Sequence, residues 1–261
     1  MLDREQLNGK ISEEEKETEL KEIIIHSHAA MKYLYNNIAE IYDNAMNNSV
    51  KKVITTLGYE LGIACPDIIN HRVIRGNKKG RIIKAPPKNK DYSEAGYDEK
   101  NDPLYFRCIS AEFGGDHFNF YLFFGFDGFS WAARMETIPG TLDIIRYKSD
   151  EKGRILEYTH TDGAHYDDGG KIKNKLFCHA GANRYEYPDD PEAPIICRSY
   201  CENLWYYPSK SIVLPVIVPG HPNGGVYNER CYEISPDHKN ISCYVKDRKS
   251  GEFRLSGVIK G

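Results

Sequence analysis

The residues best suited to chemistry lie in a polar, glycine-rich segment with two histidines and three aspartates: His160, Asp162, His165, Asp167 and Asp168. Imidazole and carboxylate groups together are ligands that Zn²⁺ and non-haem iron accept. A His-x-Asp pair with a remote histidine is the arrangement of the facial triad, which leaves open positions on the metal. The segment therefore predicts a divalent metal site, with His160, Asp162 and His165 as its candidate ligands.

This metal site has a structural alternative. A solvated turn that follows a strand accounts for the same residues, because such turns favour both Asp and Gly. The segment matches no diagnostic metal-binding spacing, and the sequence does not select a third ligand among His179, His221 and His238. A metal-dependent enzyme of the hydrolase or oxygenase type is thus the alternative function, and the sequence leaves open whether the protein is an enzyme.

The elements that must position such residues form a predicted antiparallel meander. Its strands are residues 104–113, 118–126, 129–138, 141–147 and 154–161. Asp127-Gly128 lies between two apolar runs, and it is a strong hairpin signal because both central residues of a type I′ turn need positive φ.

The second predicted strand assigns the two faces of the sheet. Large apolar residues alternate along it and share one face: Phe118, Phe120, Leu122, Phe124 and Phe126. The opposite row mixes polar and apolar side chains, as the wall of a ligand pocket does. We therefore expect the apolar row to meet the N-terminal helices and a small-molecule ligand to lie on the other side. The candidate ligand-binding residues are Asn119, Tyr121, Phe123 and Trp131.

Two helices are predicted before the meander. Ser12 and Glu15 form a capping box, and the first helix should extend to about Asn47. Apolar residues occupy heptad positions along it: Ile24, Met31, Leu34, Ile38, Ile41 and Ala45. This stripe can pack on the sheet of its own chain or form the seam of a homodimer. Apolar residues at helical spacing in 50–61 predict a second helix.

Composition and pattern together indicate a single domain of 261 residues and of the α+β class. A helical hairpin (12–62) packs on a mostly antiparallel β-rich core (103–261), and a Lys- and Pro-rich loop (65–102) connects them. Within this loop Ile82-Ile83 can add a short edge strand. The formal net charge of −3 gives no general attraction to nucleic acid. No apolar run of membrane-spanning length and no secretory signal are present, and seven scattered cysteines favour a reducing cytoplasm.

Residues 207–218 carry a resemblance to a known family. Their apolar run, with Ser211 before it and Pro215 within it, is similar to a late segment of GAF-type sensory domains. In that family a long N-terminal helix often dimerises, and a six-stranded antiparallel sheet carries a ligand pocket on one face. The resemblance implies a cytoplasmic sensory or small-ligand-binding module that acts through an N-terminal dimerisation helix.

Overall fold

The computed structural model describes residues 11–56, 81–109, 111, 117–136, 142–152, 154–162, 176–207, 216–218, 228–237, 240–247 and 249–260. Within these residues it contains one helix and a 14-stranded sheet. The helix is α1 (Glu13–Asn47). The strands are β1 (Lys51–Thr56), β2 (Ile82–Ile83), β3 (Tyr92–Tyr97), β4 (Pro103–Ile109), β5 (His117–Phe126), β6 (Phe129–Glu136), β7 (Leu142–Ser149), β8 (Ile155–Asp162), β9 (Leu176–Glu186), β10 (Ile195–Tyr207), β11 (Val216–Val218), β12 (Asn228–Ile234), β13 (Asn240–Lys246) and β14 (Phe253–Lys260).

The sheet is an antiparallel meander. From β3 to β10 the order of strands in the sheet is their order in the chain, and β12, β13 and β14 continue it beyond β10. β1 and β2 extend the other side, and β11 pairs with β10 off this path. At one end of the strands the connections are residues 98–102, 127–128, 150–154 and 187–194. We call this end the turn edge, and the opposite end, where β8 finishes at Asp162, the loop edge.

The predicted meander is confirmed, and its central hairpin shows why. Asp127 and Gly128 connect β5 to β6 with φ values of 51° and 75°. These are the left-handed conformations that a tight hairpin turn requires, and Asp and Gly adopt them more readily than most residues. The turn fixes the register of β5 against β6, so Phe124 lies directly opposite Trp131.

The predicted capping box at the start of α1 is also present. The backbone N–H of Glu15 donates to Ser12 Oγ at 3.3 Å, and the backbone N–H of Ser12 donates to Glu15 Oε2 at 2.7 Å. Each bond satisfies a backbone donor that the first turn of a helix leaves without an intrahelical partner.

One side of α1 packs across one face of the sheet, which we call the helix face. Leu34 and Ala45 share a core with the apolar row of β5 and with β6 residues, namely Phe120, Leu122, Trp131 and Ala133. Leu20 and Ile23 pack against Ala180 and Ala182 of β9, whose small side chains let the helix approach closely. The apolar row of β5 meets the first helix as expected, but the expected contact with a second helix is wrong, because residues 51–56 form β1.

The opposite face of the sheet carries a second core, and we call it the aromatic face. Many of its buried residues are aromatic: Tyr97, Phe106, Tyr121, Phe123, Tyr158, Tyr185 and Tyr232. Smaller side chains lie among them, including Ala132, Ile145 and Cys197. The sheet is therefore buried on both faces, although α1 covers only one.

The predicted helical hairpin and the α+β class built on it are wrong. Residues 51–56 form β1, which pairs with β3 along its whole length, and α1 is the only helix among the described residues. Val53, Ile54 and Thr55 are β-branched, so their side chains fit a pleated strand better than a helix. The fold is an antiparallel sheet with a single helix packed on it.

The predicted loop over residues 65–102 is wrong in the part that the structure describes. The short edge strand expected at Ile82–Ile83 is present as β2, which pairs with β1. β3 was not predicted, and it pairs with both β1 and β4. No described helix is long and apolar enough to cross a membrane.

Candidate functional site

The four candidate ligand-binding residues do not line one surface. Tyr121 and Phe123 are buried on the aromatic face, with 2% and 6% of their surface exposed. Trp131 lies in the core of the helix face, and its Nε1–H donates to the carbonyl of Phe126 at 3.0 Å. Asn119 belongs to β5, but its side chain is outside the described part. The register of the hairpin causes this split, because Trp131 pairs with Phe124 and so shares the face of the apolar row.

Of the three candidate metal ligands, the structure fully describes only His160. His160 lies in β8 on the aromatic face, where its ring centroid is 5.9 Å from that of Tyr158. Asp162 is the last residue of β8, while its side chain and the whole of His165 are outside the described part. Among the side chains that the structure describes, no three His, Cys, Asp or Glu residues cluster as a metal site would require.

An open groove of about 1020 Å³ lies at the turn edge. The β5–β6 hairpin, the end of β7 and the β7–β8 turn supply most of its lining. The aromatic face contributes the rings of Phe123 and Tyr147, which meet edge to face with centroids 6.2 Å apart. The helix face contributes Arg146 and Phe129. Of the candidate ligand-binding residues with described side chains, Phe123 lines the groove, whereas Tyr121 and Trp131 do not.

Small residues on two neighbouring strands open this groove. Gly125 of β5 pairs with Ser130 of β6, and Ser130 pairs with Tyr147 of β7. A Cβ atom built on Gly125 would meet no atom within 4 Å. The wall therefore recedes beside the rings of Phe123 and Tyr147, which leaves space beside an aromatic surface.

Arg146 connects the groove to the helix. Its guanidinium stacks on the Phe129 ring at 4.9 Å from the ring centroid. It also lies 3.8 Å from Glu157 Oε1 and 3.4 Å from Nδ1 of His26 on α1. Ring stacking and the two polar neighbours hold a long, flexible side chain in one position, so the groove has a fixed cationic group in its wall.

The polar contacts continue from Glu157 to the first turns of α1. Arg184 of β9 donates from Nε to Glu157 at 3.1 Å, and it is ion-paired with Glu19 of α1. The hydroxyl of Tyr200 also donates to Glu19. Burial raises the pKa of Glu19 even though Arg184 acts in the opposite direction. Charged groups thus form an unbroken chain from the groove wall to the N-terminal half of the helix.

Arg146 and Glu157 were not among the predicted site residues. Each is a charged residue within a predicted strand, so the sequence does not distinguish it from a solvated strand residue. The signal that could have found them is a row of opposite charges across three strands. Lys148 of β7 pairs with Glu157 of β8, and Glu157 pairs with Arg184 of β9. That row becomes visible only when the strand register is known.

No protein-family model matches the chain, and no curated protein matches it either. The GAF-type resemblance implies a six-stranded sheet, whereas the described residues form a 14-stranded one. The membership of that family stays a prediction.

Proposed function

We propose that the protein is a sensory, small-ligand-binding module whose ligand occupies the groove at the turn edge. The observation that carries this proposal is the combination of a concave surface of about 1020 Å³ with aromatic walls and fixed charged groups. Binding sites for small molecules combine apolar and aromatic walls with a few placed polar groups in this way.

The lining of the groove favours a ligand with an aromatic ring and an anionic substituent. A ring can lie on the edge of Phe123 and Tyr147 over the space that Gly125 leaves. Lys148 also lines the groove, and it forms no ion pair with a described residue. Its ammonium group, together with the positioned guanidinium of Arg146, supports binding of an anionic group beside the ring.

The contacts of Arg146 support a route from the ligand to the helix. An anion that pairs with Arg146 competes with Glu157 for the same guanidinium. Glu157 would then be held by Arg184 alone, which in turn contacts Glu19 of α1. Ligand binding is in this way linked to the contacts that hold the first turns of the helix against the sheet.

A second copy of the chain is the proposed partner of α1. Tyr35, Ile38 and Tyr42 have 81%, 42% and 44% of their surface exposed. Their i, i+3, i+7 spacing places them along one side of the helix. The more buried members of the heptad stripe, such as Leu34, pack on the sheet, so the seam proposed between copies uses these partly exposed side chains along the margin of that stripe.

Binding of 8-anilinonaphthalene-1-sulfonate, an aromatic anion whose fluorescence rises in apolar sites, tests the groove. We expect saturable binding with one site per chain to the native protein. Gly125→Leu fills the space beside the rings and should weaken binding at least about tenfold, which corresponds to about 1.4 kcal/mol. Lys148→Glu should weaken it as well.

Gly257→Leu is the matched control, because a Cβ at Gly257 of β14 also meets nothing within 4 Å. It should leave dye binding unchanged, and circular dichroism should show that all variants keep the native fold. Saturable binding that is unaffected by Gly125→Leu would place the ligand elsewhere and remove the proposal.

Light scattering tests the dimer. We expect the unmodified chain to have twice the mass of a monomer at micromolar concentration, and Ile38→Lys to be monomeric. Because Ile38 is already 42% exposed, the lysine should leave the fold of each chain intact. A monomeric unmodified chain at that concentration would contradict this part of the proposal.

A further inference from the structure

Asn183 of β9 is a polar residue in the core of the aromatic face. It lies directly opposite Tyr158 of β8 and Ser199 of β10, and Tyr158 belongs to that core. Residues directly opposite each other on antiparallel strands lie on the same face of the sheet. Tyr185, two residues further along β9, belongs to the same core, as the alternation of side chains requires. The register therefore places the amide of Asn183 beside two tyrosine rings.

This amide is buried without hydrogen bonds. Asn183 is 1% exposed, and neither its Nδ2 nor its Oδ1 forms a hydrogen bond with a described residue. Several other buried polar side chains are paired: Thr161 with Ser27, Ser93 with Cys108, and Lys16 with Glu229. A primary amide can donate two hydrogen bonds and accept two. A buried donor or acceptor that lacks a partner destabilises the native state, so an amide at this position lowers the stability of the ligand-free fold.

Small and polar residues lie around Asn183 on the same face. Gly181 precedes it by two residues on β9 and has no side chain, while Ser199 on β10 has a short one. His160 lies opposite Gly181, and Arg230 of β12 lies opposite Ser199. His160, Ser199 and Arg230 are each partly exposed. Small residues thus adjoin the buried amide, and the polar residues that border it are reachable from solvent.

We propose that the amide of Asn183 is the recognition group of a small-molecule site on the aromatic face, which takes a planar ligand with a carboxamide or lactam edge. Such an edge presents an N–H and a C=O side by side, and these are the two kinds of partner that the Asn183 amide requires. The rings of Tyr158 and Tyr185 provide flat apolar surface for the rest of the ligand.

The hydrogen-bonding capacity of Asn183 favours an amide over a carboxylate. A carboxylate can accept from Nδ2, but it has no hydrogen to donate to Oδ1. It would therefore leave half of the amide unsatisfied, and it would also bring a charge into a core of mostly apolar side chains, which burial disfavours. A neutral amide edge satisfies both atoms at once.

This site is independent of the groove at the turn edge. None of Asn183, Ser199 and His160 lines the groove, where a ligand meets Phe123 and Arg146 instead. Loss of an amide ligand and loss of 8-anilinonaphthalene-1-sulfonate can therefore be measured separately in the same protein.

Ligand-observed NMR of the full chain with benzamide and benzoate tests the site. The two probes share a ring, but only benzamide has an N–H to donate. We expect benzamide to bind saturably, and benzoate to bind at least about tenfold more weakly, which corresponds to about 1.4 kcal/mol. Asn183→Leu keeps the approximate volume and removes the amide, so it should weaken benzamide binding at least about tenfold. Binding of 8-anilinonaphthalene-1-sulfonate should be unchanged in this variant.

Thermal unfolding without ligand supplies a second test. Asn183→Leu should raise the melting midpoint by about 2–4 °C, because an apolar side chain of similar size replaces an unsatisfied buried amide. Thr161→Val is the control, since it removes a buried hydroxyl that does have a partner, Ser27. It should lower the melting midpoint.

Two results would overturn the proposal. One is a lower melting midpoint or loss of the native fold in Asn183→Leu, which would show that buried water satisfies the amide as part of the native structure. The other concerns the probes: no saturable binding of benzamide to the unmodified chain, or binding that benzoate equals or that Asn183→Leu leaves unchanged.

Discussion

The two faces of the sheet are buried by different means. On the helix face, α1 supplies the cover, and charged side chains fix the helix to particular strands. On the aromatic face, the described residues include no helix, and large rings on neighbouring strands pack against one another. One sheet thus carries one core whose helix is fixed by several ion pairs and another made mostly of neutral side chains, beside which the Arg134–Asp143 ion pair is buried.

Ion pairs on the helix face set the position of α1. Lys16 is 4% exposed, and its Nζ lies 2.6 Å from Glu229 of β12, which also pairs with Lys246 of β13 at 2.9 Å. Further along the helix, Thr161 Oγ1 donates to Ser27 Oγ at 2.8 Å. Apolar contacts alone would let a helix slide over a sheet, whereas these bonds are satisfied in one register only.

Neutral acids dominate the titratable groups of the aromatic face. Burial raises the pKa of Cys197 to about 12 and that of Cys108 to about 12. Burial also raises the pKa of Tyr185 well above its ordinary value. These groups are stable in an apolar core because they stay protonated at neutral pH. We therefore expect truncation, added volume and pH to change the free energy of unfolding differently on the two faces.

The largest expected effect comes from truncating adjacent residues on opposite faces. Phe120 (4% exposed) lies in the core of the helix face and Tyr121 (2% exposed) in that of the aromatic face. We expect Phe120→Ala and Tyr121→Ala each to lower the free energy of unfolding by about 3–5 kcal/mol, because each leaves a large cavity. Urea denaturation measures both values.

Leu255→Ala is the control for this pair. Leu255 is 49% exposed, so its truncation should change the free energy of unfolding by less than about 1 kcal/mol. If Tyr121→Ala were as mild as the control while Phe120→Ala had its full effect, the aromatic face would not be a packed core, and the comparison would fail.

Much of the meander could be predicted from sequence because its signals are local. The alternation of Phe120, Leu122 and Phe124 needs only the two-residue period of a strand, and Asp127-Gly128 needs only the φ preference of its turn. The capping box of Ser12 and Glu15 is equally local. Each of these features depends on residues a few positions apart.

The predictions that were wrong concern features that depend on strand pairing between residues far apart in sequence. Val53 and Ile54 fit helical and strand spacing equally well over so short a segment, and pairing with β3, some forty residues later, decides for the strand. The division of Trp131 from Tyr121 follows from the strand register, which no single strand specifies. The groove likewise needs three strands and their turns to come together.

Added volume on the helix face should have an intermediate effect. A Cβ at Gly96 would overlap the ring of Tyr105 and lie 2.5 Å from Ser49 Oγ. Tyr105 cannot easily move away, because its hydroxyl donates to Glu94 at 2.6 Å and Glu94 also pairs with Arg107. We expect Gly96→Ala to lower the free energy of unfolding by about 1–3 kcal/mol, as overpacked cores do.

Gly257→Ala is the matched control for Gly96→Ala. It also adds a single methyl group to a strand, but into open space. It should be neutral or stabilise by up to about 1 kcal/mol, since alanine reduces the freedom of the unfolded chain. Equal effects of the two substitutions in thermal unfolding would show that Tyr105 yields and that the packing there is loose.

The smallest expected difference is that between the pH responses of two thiols. Cys197 belongs to the core of the aromatic face, whereas Cys231 packs in a separate cluster with Tyr244. Burial raises the pKa of Cys197 to about 12 and that of Cys231 to about 11. A folded-state pKa above the unfolded value of about 8.5 means that the native state holds the proton more tightly. Each thiol therefore contributes stability that is fully present below that value and is lost as pH rises through the folded-state pKa.

Cys197→Ala and Cys231→Ala make this difference measurable. Compared with each alanine variant, the free energy of unfolding of the unmodified protein should fall by up to about 1.4 kcal/mol per pH unit above the unfolded thiol pKa. The loss should level off near pH 11 for Cys231 but continue to about pH 12 for Cys197. Urea denaturation from pH 8 to the highest pH at which the protein stays folded measures both slopes. Identical, flat differences for the two variants would mean that the thiols ionise as freely in the native state as in the unfolded chain, and water would then have to reach the aromatic face.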